Sequence, residues 1–306
     1  MSKPVICIVH EGRAAYPEVK AYKRFFQNDY ITIESSFRDL KTRAPCSVYW
    51  YLMGFFPRRP NSGLVIHDYR SLSVGAFRRC KDIVKRRYNA VPDIRIFQND
   101  QIRRELGFRC DWRTFFLPMG VSDTFVEARG LPVTEPTIDF VYIGSMLADR
   151  RCDFMIDSFL KRFGTSRKLY LYGPSNYQLI RRYRGDPNIV FGGFLDQDEL
   201  PLILRSARVA VNYIPNWFPY VLQTSTKLIE YAALGMRILS NEQPQSRITS
   251  ELYGISCLWG PPEDMFRDIS DDLDWADNSA LDPRQMCWSS VLRASGIGQA
   301  IQSALL

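Results

Sequence analysis

The chain is poor in histidine and has no recognisable metal-ligand spacing. Its 306 residues include two histidines, His10 and His67, and seven cysteines scattered without a C-x-x-C pair or a Cys/His grouping. That argues against structural zinc and a disulfide framework, and for reduced thiols in a cytoplasmic protein. Long apolar runs are also missing. The longest uncharged one, VYWYLMGFF at 48–56, falls far short of the roughly 20 residues that span a bilayer. PVICIVH near the start is too short for a secretion signal and reads as a buried first strand. No G-x-G-x-x-G follows a strand and no P-loop is present, which weakens dehydrogenase and ATPase readings. There is no internal repeat and no low-complexity segment.

What is there describes a globular protein of two domains: 46% hydrophobic and 24% charged residues in a chain too long for one ordinary core. Charge is unevenly divided. Residues 1–130 hold 23 Lys/Arg and 13 Asp/Glu, a net +10, and the remainder is net −3 of the total +7. A basic first half points to an anionic partner: a phospholipid surface, a lipid-pyrophosphate acceptor or nucleic acid, against the plain alternative of solubility. No zinc finger or RNP-like motif supports nucleic acid.

Short continuous apolar runs separated by helical patterns read as buried parallel strands. They are VICIV (5–9), SVYWYL (47–52), GLVIH (63–67), IRIFQ (94–98) and FFLPM (115–119). After GLPVTEPT (130–137) come DFVYIGS (139–145), KLYLYG (168–173), NIVFGG (188–193), ARVAVNYI (207–214), MRILS (236–240) and ISCLWG (255–260). Two such series predict two doubly wound Rossmann-like α/β domains facing a cleft. The expected boundaries are 1–125 for the first domain, 126–138 for a linker, 139–285 for the second, and 286–306 for a final helix that packs back on the first. Ligands of such sheets bind beyond the carboxyl ends of the strands. Gly12, Gly144, Gly173 and Gly193 follow strands and suit backbone approach to a ligand, and both histidines fall at strand ends of the first domain, on the cleft side.

TSTKLIEYAALG at 224–235 opens a helix with Thr224, Ser225 and Thr226, keeps Lys227 and Glu230 one turn apart, and stops at a glycine. Free N–H groups, hydroxyls and a lysine at a helix N-terminus suit a phosphate, and a carboxylate one turn on suits a sugar diol. The plain alternative is a capped surface helix with an i,i+3 ion pair. In the loop after DFVYIGS, Arg150 or Arg151 is placed to reach a pyrophosphate, since a guanidinium matches two phosphate oxygens at once.

DFVYIGSMLADRRCDFMIDSF, LYLYGP, NIVFGGFLDQDELPLILRSARVAVN and TSTKLIEYAALGMRILSN, in that order, resemble the donor domain of GT-B glycosyltransferases that use nucleotide-diphosphate sugars. In the first half, GLVIHDYRSL and IRIFQNDQIRRELGF resemble strand–loop elements of family 4 enzymes. Family 4 carries two glutamates eight positions apart; with Glu230 as the second, the first position holds Leu222. IGSML together with FPYVLQTSTKLIEY resembles more closely the xanthan-assembly glucuronosyltransferase type. That resemblance implies contacts to UDP from Met146, Tyr213, Thr226, Lys227 and Glu230, with Gly193 and Phe194 shaping the base pocket or Phe194 filling the core. It further implies a metal-independent, inverting enzyme on the inner membrane surface that uses a nucleotide sugar as co-substrate and no cofactor. The expected acceptor is a lipid-linked or other glycan of envelope polysaccharide assembly.

An inverting transfer needs a general base. Asp68 is the first candidate, with Glu11 second and His67 as orienter of Asp68; His10 and Gly12 complete the first-domain cleft. A retaining enzyme needs no such base, and His67 would then contact the transferred sugar. A non-catalytic nucleotide-sugar binder is the alternative that Leu222 supports best.

Overall fold

In the computed structural model all residues are described except 1, 13–15, 53, 133–135 and 197–198, and the side chain of residue 41. The chain divides into two compact units, Met1–Gly120 with Trp288–Leu306, and Val121–Cys287. Each is built on a six-stranded parallel sheet.

Unit 1 runs β1 (Val5–Val9), α1 (Pro17–Phe26), β2 (Ile31–Ser35), β3 (Val48–Leu52), β4 (Leu64–Tyr69), α2 (Arg78–Tyr88), β5 (Ile94–Phe97), α3 (Asp100–Glu105) and β6 (Thr114–Phe116). Its strand order is β2-β1-β3-β4-β5-β6. Both faces of this sheet are covered, so alternate side chains enter different cores. Ile6, Ile8, Trp50 and Ile66 pack on one face; Cys7, Val9, Tyr49, Tyr51 and Val65 pack on the other. The edge strand β2 (ITIES) is absent from the sequence-based strand series, because half-exposed edge positions give it no continuous apolar run.

Unit 2 runs α4 (Asp123–Arg129), β7 (Ile138–Ile143), α5 (Cys152–Phe163), β8 (Leu169–Tyr172), α6 (Tyr177–Tyr183), β9 (Ile189–Gly193), α7 (Leu200–Arg205), β10 (Ala207–Asn212), α8 (Thr226–Ala233), β11 (Arg237–Asn241), α9 (Pro244–Tyr253) and β12 (Leu258–Gly260). From one edge the order is β9-β8-β7-β10-β11-β12. Strand order reverses between β7 and β10, which is where doubly wound sheets hold their ligands. Phe140, Phe159, Phe163 and Phe266 interlock beneath it.

Two boundaries differ from those read in the sequence. The stretch expected to be linker starts inside α4, whose N-cap Ser122 accepts from Thr124 N–H, and part of it (133–135) lies outside the described residues. The C-terminal stretch is two helices, α10 (Trp288–Ala294) and α11 (Ile297–Leu305), with a break at Ser295–Gly296. Both belong to unit 1, where Trp288, Val291, Leu292, Ile297 and Ile301 are buried in the core.

Candidate functional site

The candidate donor site gathers at the carboxyl ends of β7, β8 and β10 and the start of α8. Its foundation is a close backbone approach between two turns. A Cβ on Gly173 would lie 2.3 Å from the carbonyl oxygen of Gly144, so only glycine lets these turns meet. A Cβ on Gly144 would in turn meet Lys227 Nζ at 3.5 Å, which places the ammonium directly over the turn that follows β7.

The start of α8 is fixed from below. Ser225 is the N-cap: its hydroxyl accepts from Leu228 N–H at 3.4 Å and donates to Asn212 Oδ1 at 2.6 Å. Asn212, at the end of β10, donates its amide to Ser240 Oγ and Ser246 Oγ. The first-turn amides of α8 therefore point out of a rigid hydrogen-bonded base, with Thr224 and Thr226 half-buried beside the cap.

Lys227 and Glu230 do not form the ion pair of an ordinary surface helix. Among the described residues, neither has an ion-pair partner within 4 Å. Lys227 Nζ instead sits 5.3 Å from the centroid of the Tyr142 ring. Burial, reinforced by the charge of Arg150, pushes the Lys227 ammonium down to about 8. Burial pushes the Glu230 carboxyl up to about 7, against the pull of Lys227. Arg150 lies over the Tyr220 ring at 4.1 Å and, among the described residues, also has no carboxylate partner within 4 Å. Lys227 feels the charge of Arg150 more strongly than that of Glu230, an electrostatically costly arrangement that an anion would relieve.

Arg151 does not share this role. It is paired with Asp153 at 2.9 Å and lies over Phe154, and its carbonyl accepts from Tyr213 OH at 3.1 Å. Tyr213 is thus buried by that bond and supports the loop from beneath. Met146 is also a correction: its side chain is fully buried in the unit 2 core, with its sulfur accepting from Ser175 Oγ at 3.8 Å, and its N–H donates to Pro174 O at 2.7 Å, so it ties the two turns together from beneath. Ser225, engaged in the cap, presents no free hydroxyl. Gly193 is exposed at the end of β9, and Phe194 beside it is 73% exposed, so Phe194 is not core filler.

In unit 1 the expected base is enclosed. Asp68 lies within β4, and its Oδ2 accepts from Tyr22 OH at 2.8 Å and Trp50 Nε1 at 3.1 Å, while Arg70 stands 3.9 Å from Oδ1. Burial raises its pKa, opposed by Arg70. With only 1% of its surface exposed, this carboxylate does not reach solvent, which corrects the reading of Asp68 as the base. His67, one residue earlier, points to the opposite face, among Tyr51, Phe56 and Tyr69. Burial pushes its pKa down to about 3, and from this opposite face it does not orient Asp68.

The residues after β1 are different. His10 Nε2 lies 3.0 Å from Glu34 Oε2, and Gly12 N–H donates to His10 Nδ1 at 3.3 Å, which assigns the ring proton to Nε2. Lys23 bonds the same Glu34 carboxylate and holds its pKa low. Glu11 is exposed, with one carboxylate oxygen accepting from Phe37 N–H at 3.2 Å. Four participants were not singled out from the sequence: Tyr142, Asn212, Tyr220 and Asp149, the last of which accepts from Tyr220 OH. Asn212 alone carried a signal, as a polar residue closing the apolar run ARVAVN.

No family model matches the chain, and no curated protein matches it. Solved structures do. Sucrose-phosphate synthase from Thermosynechococcus elongatus superposes with a TM-score of 0.73 at 14% identity, over 99% of this chain and 100% of that one. Anabaena HepE in complex with UDP and glucose gives 0.71 at 10% identity, over 98% and 100%. AviGT4, a glycosyltransferase involved in avilamycin A biosynthesis, gives 0.66 at 14% identity, over 99% and 98%. At these identities the likeness is one of fold: the chain has the two Rossmann-like domains of GT-B glycosyltransferases.

Proposed function

We propose that this chain transfers a sugar from a nucleotide-diphosphate sugar, with UDP favoured, to a hydroxyl of a membrane-linked glycan or lipid. The observation that carries the reading is the pair of uncompensated cations, Lys227 and Arg150, set beside the glycine turn after β7 and the first turn of α8. Breaking the glycosidic bond leaves negative charge on the nucleoside diphosphate, and preorganised cations and helix amides stabilise that charge most in the transition state. In this proposal they carry the charge of the leaving group without a metal ion. Glu230 holds the ribose hydroxyls and exposed Phe194 offers a ring to the base. HepE bound to UDP, and to UDP-glucose, supports the choice of nucleotide.

Attack by an acceptor hydroxyl from the face opposite the leaving group inverts configuration, and Glu11 is the proposed base for it. The basic first half supports an acceptor at an anionic membrane surface, on the cytoplasmic side, in envelope polysaccharide assembly. No helix among the described residues is long and apolar enough to cross a membrane, so a peripheral association is proposed. The enclosure of Asp68 and the leucine at position 222 favour a second reading, a nucleotide-sugar binder without catalysis.

Thermal shift with UDP, GDP, dTDP and ADP tests the donor claim. A nucleotide at a hundredfold over its Kd stabilises the fold by about 2.7 kcal/mol. Selective stabilisation by UDP that is lost in Lys227→Ala is the expected result; no shift with any nucleotide overturns the reading. Slow release of sugar from the matching UDP-sugar then separates enzyme from binder.

A further inference from the structure

The helix α2 turns its apolar row outward, the reverse of a helix that packs on a sheet. Its one buried residue is Asp82, whose two carboxylate oxygens accept from Ser73 N–H and lie near Lys85. Helical spacing puts Ile83, Val84 and Tyr88 on the side away from Asp82, with Phe77 just before the first turn. Phe77 is 79% exposed, Ile83 52% and Tyr88 62%. The row continues past the helix: Val91 is 60% exposed, and Asn89 accepts from Phe56 N–H and donates to Gly54 O, which holds exposed Phe55 near the helix end.

The same helix carries six cations against Asp82 alone. Arg79, Lys81, Arg86 and Arg87 are exposed, and among the described residues none of them has a carboxylate within 4 Å. On the helical wheel Arg79 and Arg86 border the apolar row on one side and Lys81 on the other, while Arg87 stands within it, between Ile83 and Val84.

We infer that α2, with the turn carrying Phe55, is the surface by which unit 1 seats on an anionic lipid leaflet. The helix lies in the plane of the interface, with its rings and aliphatic groups at the headgroup boundary and its flanking cations on lipid phosphates. Charge complementarity selects this occupant. A second copy docking the same face would oppose its four exposed cations to four. A nucleic-acid backbone would meet the cations but leave the central apolar row against charged phosphates. The inference deepens the membrane-linked acceptor reading and rests on it for its purpose, but lipid binding tests it alone.

The test is flotation of the full chain with vesicles of phosphatidylcholine, with and without phosphatidylglycerol. Binding to the anionic vesicles only, weakened by salt, is expected. Arg79→Gln with Arg86→Gln weakens it roughly tenfold or more, and Ile83→Asp with Tyr88→Asp abolishes it. Unchanged binding in the Ile83/Tyr88 variant, or equal binding to neutral vesicles, overturns the inference. So does a concentration-dependent dimer of the native chain that the same variant dissolves. All four positions are exposed, and a UDP-induced thermal shift retained by each variant verifies an intact fold. Vesicle binding by a native chain that shows no UDP shift would sink the transferase reading and leave the leaflet surface standing.

Discussion

At the scale of single residues, the donor site is recognisable by what it leaves uncompensated. Glu230 illustrates the cost. In the folded chain its carboxyl keeps its proton up to about pH 7, whereas once unfolded it ionises near 4.5. Unfolding therefore releases a proton between those values, and this contribution to stability is full below 4.5 and lost as pH rises through about 7. Glu230→Gln, neutral at every pH, should leave the melting temperature unchanged at pH 5. At pH 8 it should raise it by several degrees, reflecting about 3 kcal/mol of relieved burial. The same variant should weaken UDP binding, so that stability and affinity move in opposite directions; a lower melting temperature at pH 8 would refute the account. Glu11 is tested by rate: Glu11→Gln should lower kcat by about 10²–10⁴ with little change in donor affinity, whereas Asp68→Asn should act through stability. Equal kcat in native and Glu11→Gln chains would remove Glu11 as base.

At the scale of elements, the strand series and the opening of α8 were legible because buried parallel strands and capped helices leave local marks: apolar runs in one case, a hydroxyl before a helix in the other. The identity of the base was not legible. The pattern H-D at the end of an apolar run has the same sequence whether the carboxylate meets solvent or lies under Tyr22 and Trp50, and only tertiary packing distinguishes the two. Met146 and Tyr213 misled for the same reason, since the sequence gives the order of loop residues and not which side of the loop each side chain takes. Arg150 and Arg151 were inseparable as neighbours, but a residue 151 with φ +47° turns the two side chains apart, one to Asp153 and the other over Tyr220. The cap is the element whose loss is most readable. Ser225→Ala removes a bond to the first turn of α8 and leaves buried Asn212 Oδ1 without its donor, a combined cost of about 2–3 kcal/mol. The expected outcome is a lower melting temperature of unit 2 together with weaker UDP binding, read by calorimetry; an unaltered transition would show that the Asn212 network does not hold the helix start.

At the scale of the whole molecule, chain order and structural unit diverge at the C-terminus. Residues 288–306 follow all of unit 2 in sequence, yet Trp288, Val291, Leu292, Ile297 and Ile301 are buried in the unit 1 core, and Trp288 packs edge-on to Tyr22 at 5.9 Å with Arg70 over its ring at 5.4 Å. Removing the segment would strip five buried apolar side chains at about 1.5–3 kcal/mol each, a loss of roughly 7–15 kcal/mol. Native domains are stable by only about 5–15 kcal/mol. A chain ending at Cys287 should therefore lose the unit 1 transition in calorimetry. Unit 2, whose cap, glycine turns and core all lie within Val121–Cys287, should still melt cooperatively and still be raised by UDP. Two surviving transitions would mean that unit 1 holds without its returning helices. A single surviving transition that no longer responds to UDP would mean that the donor site depends on more of the chain than the residues that build it.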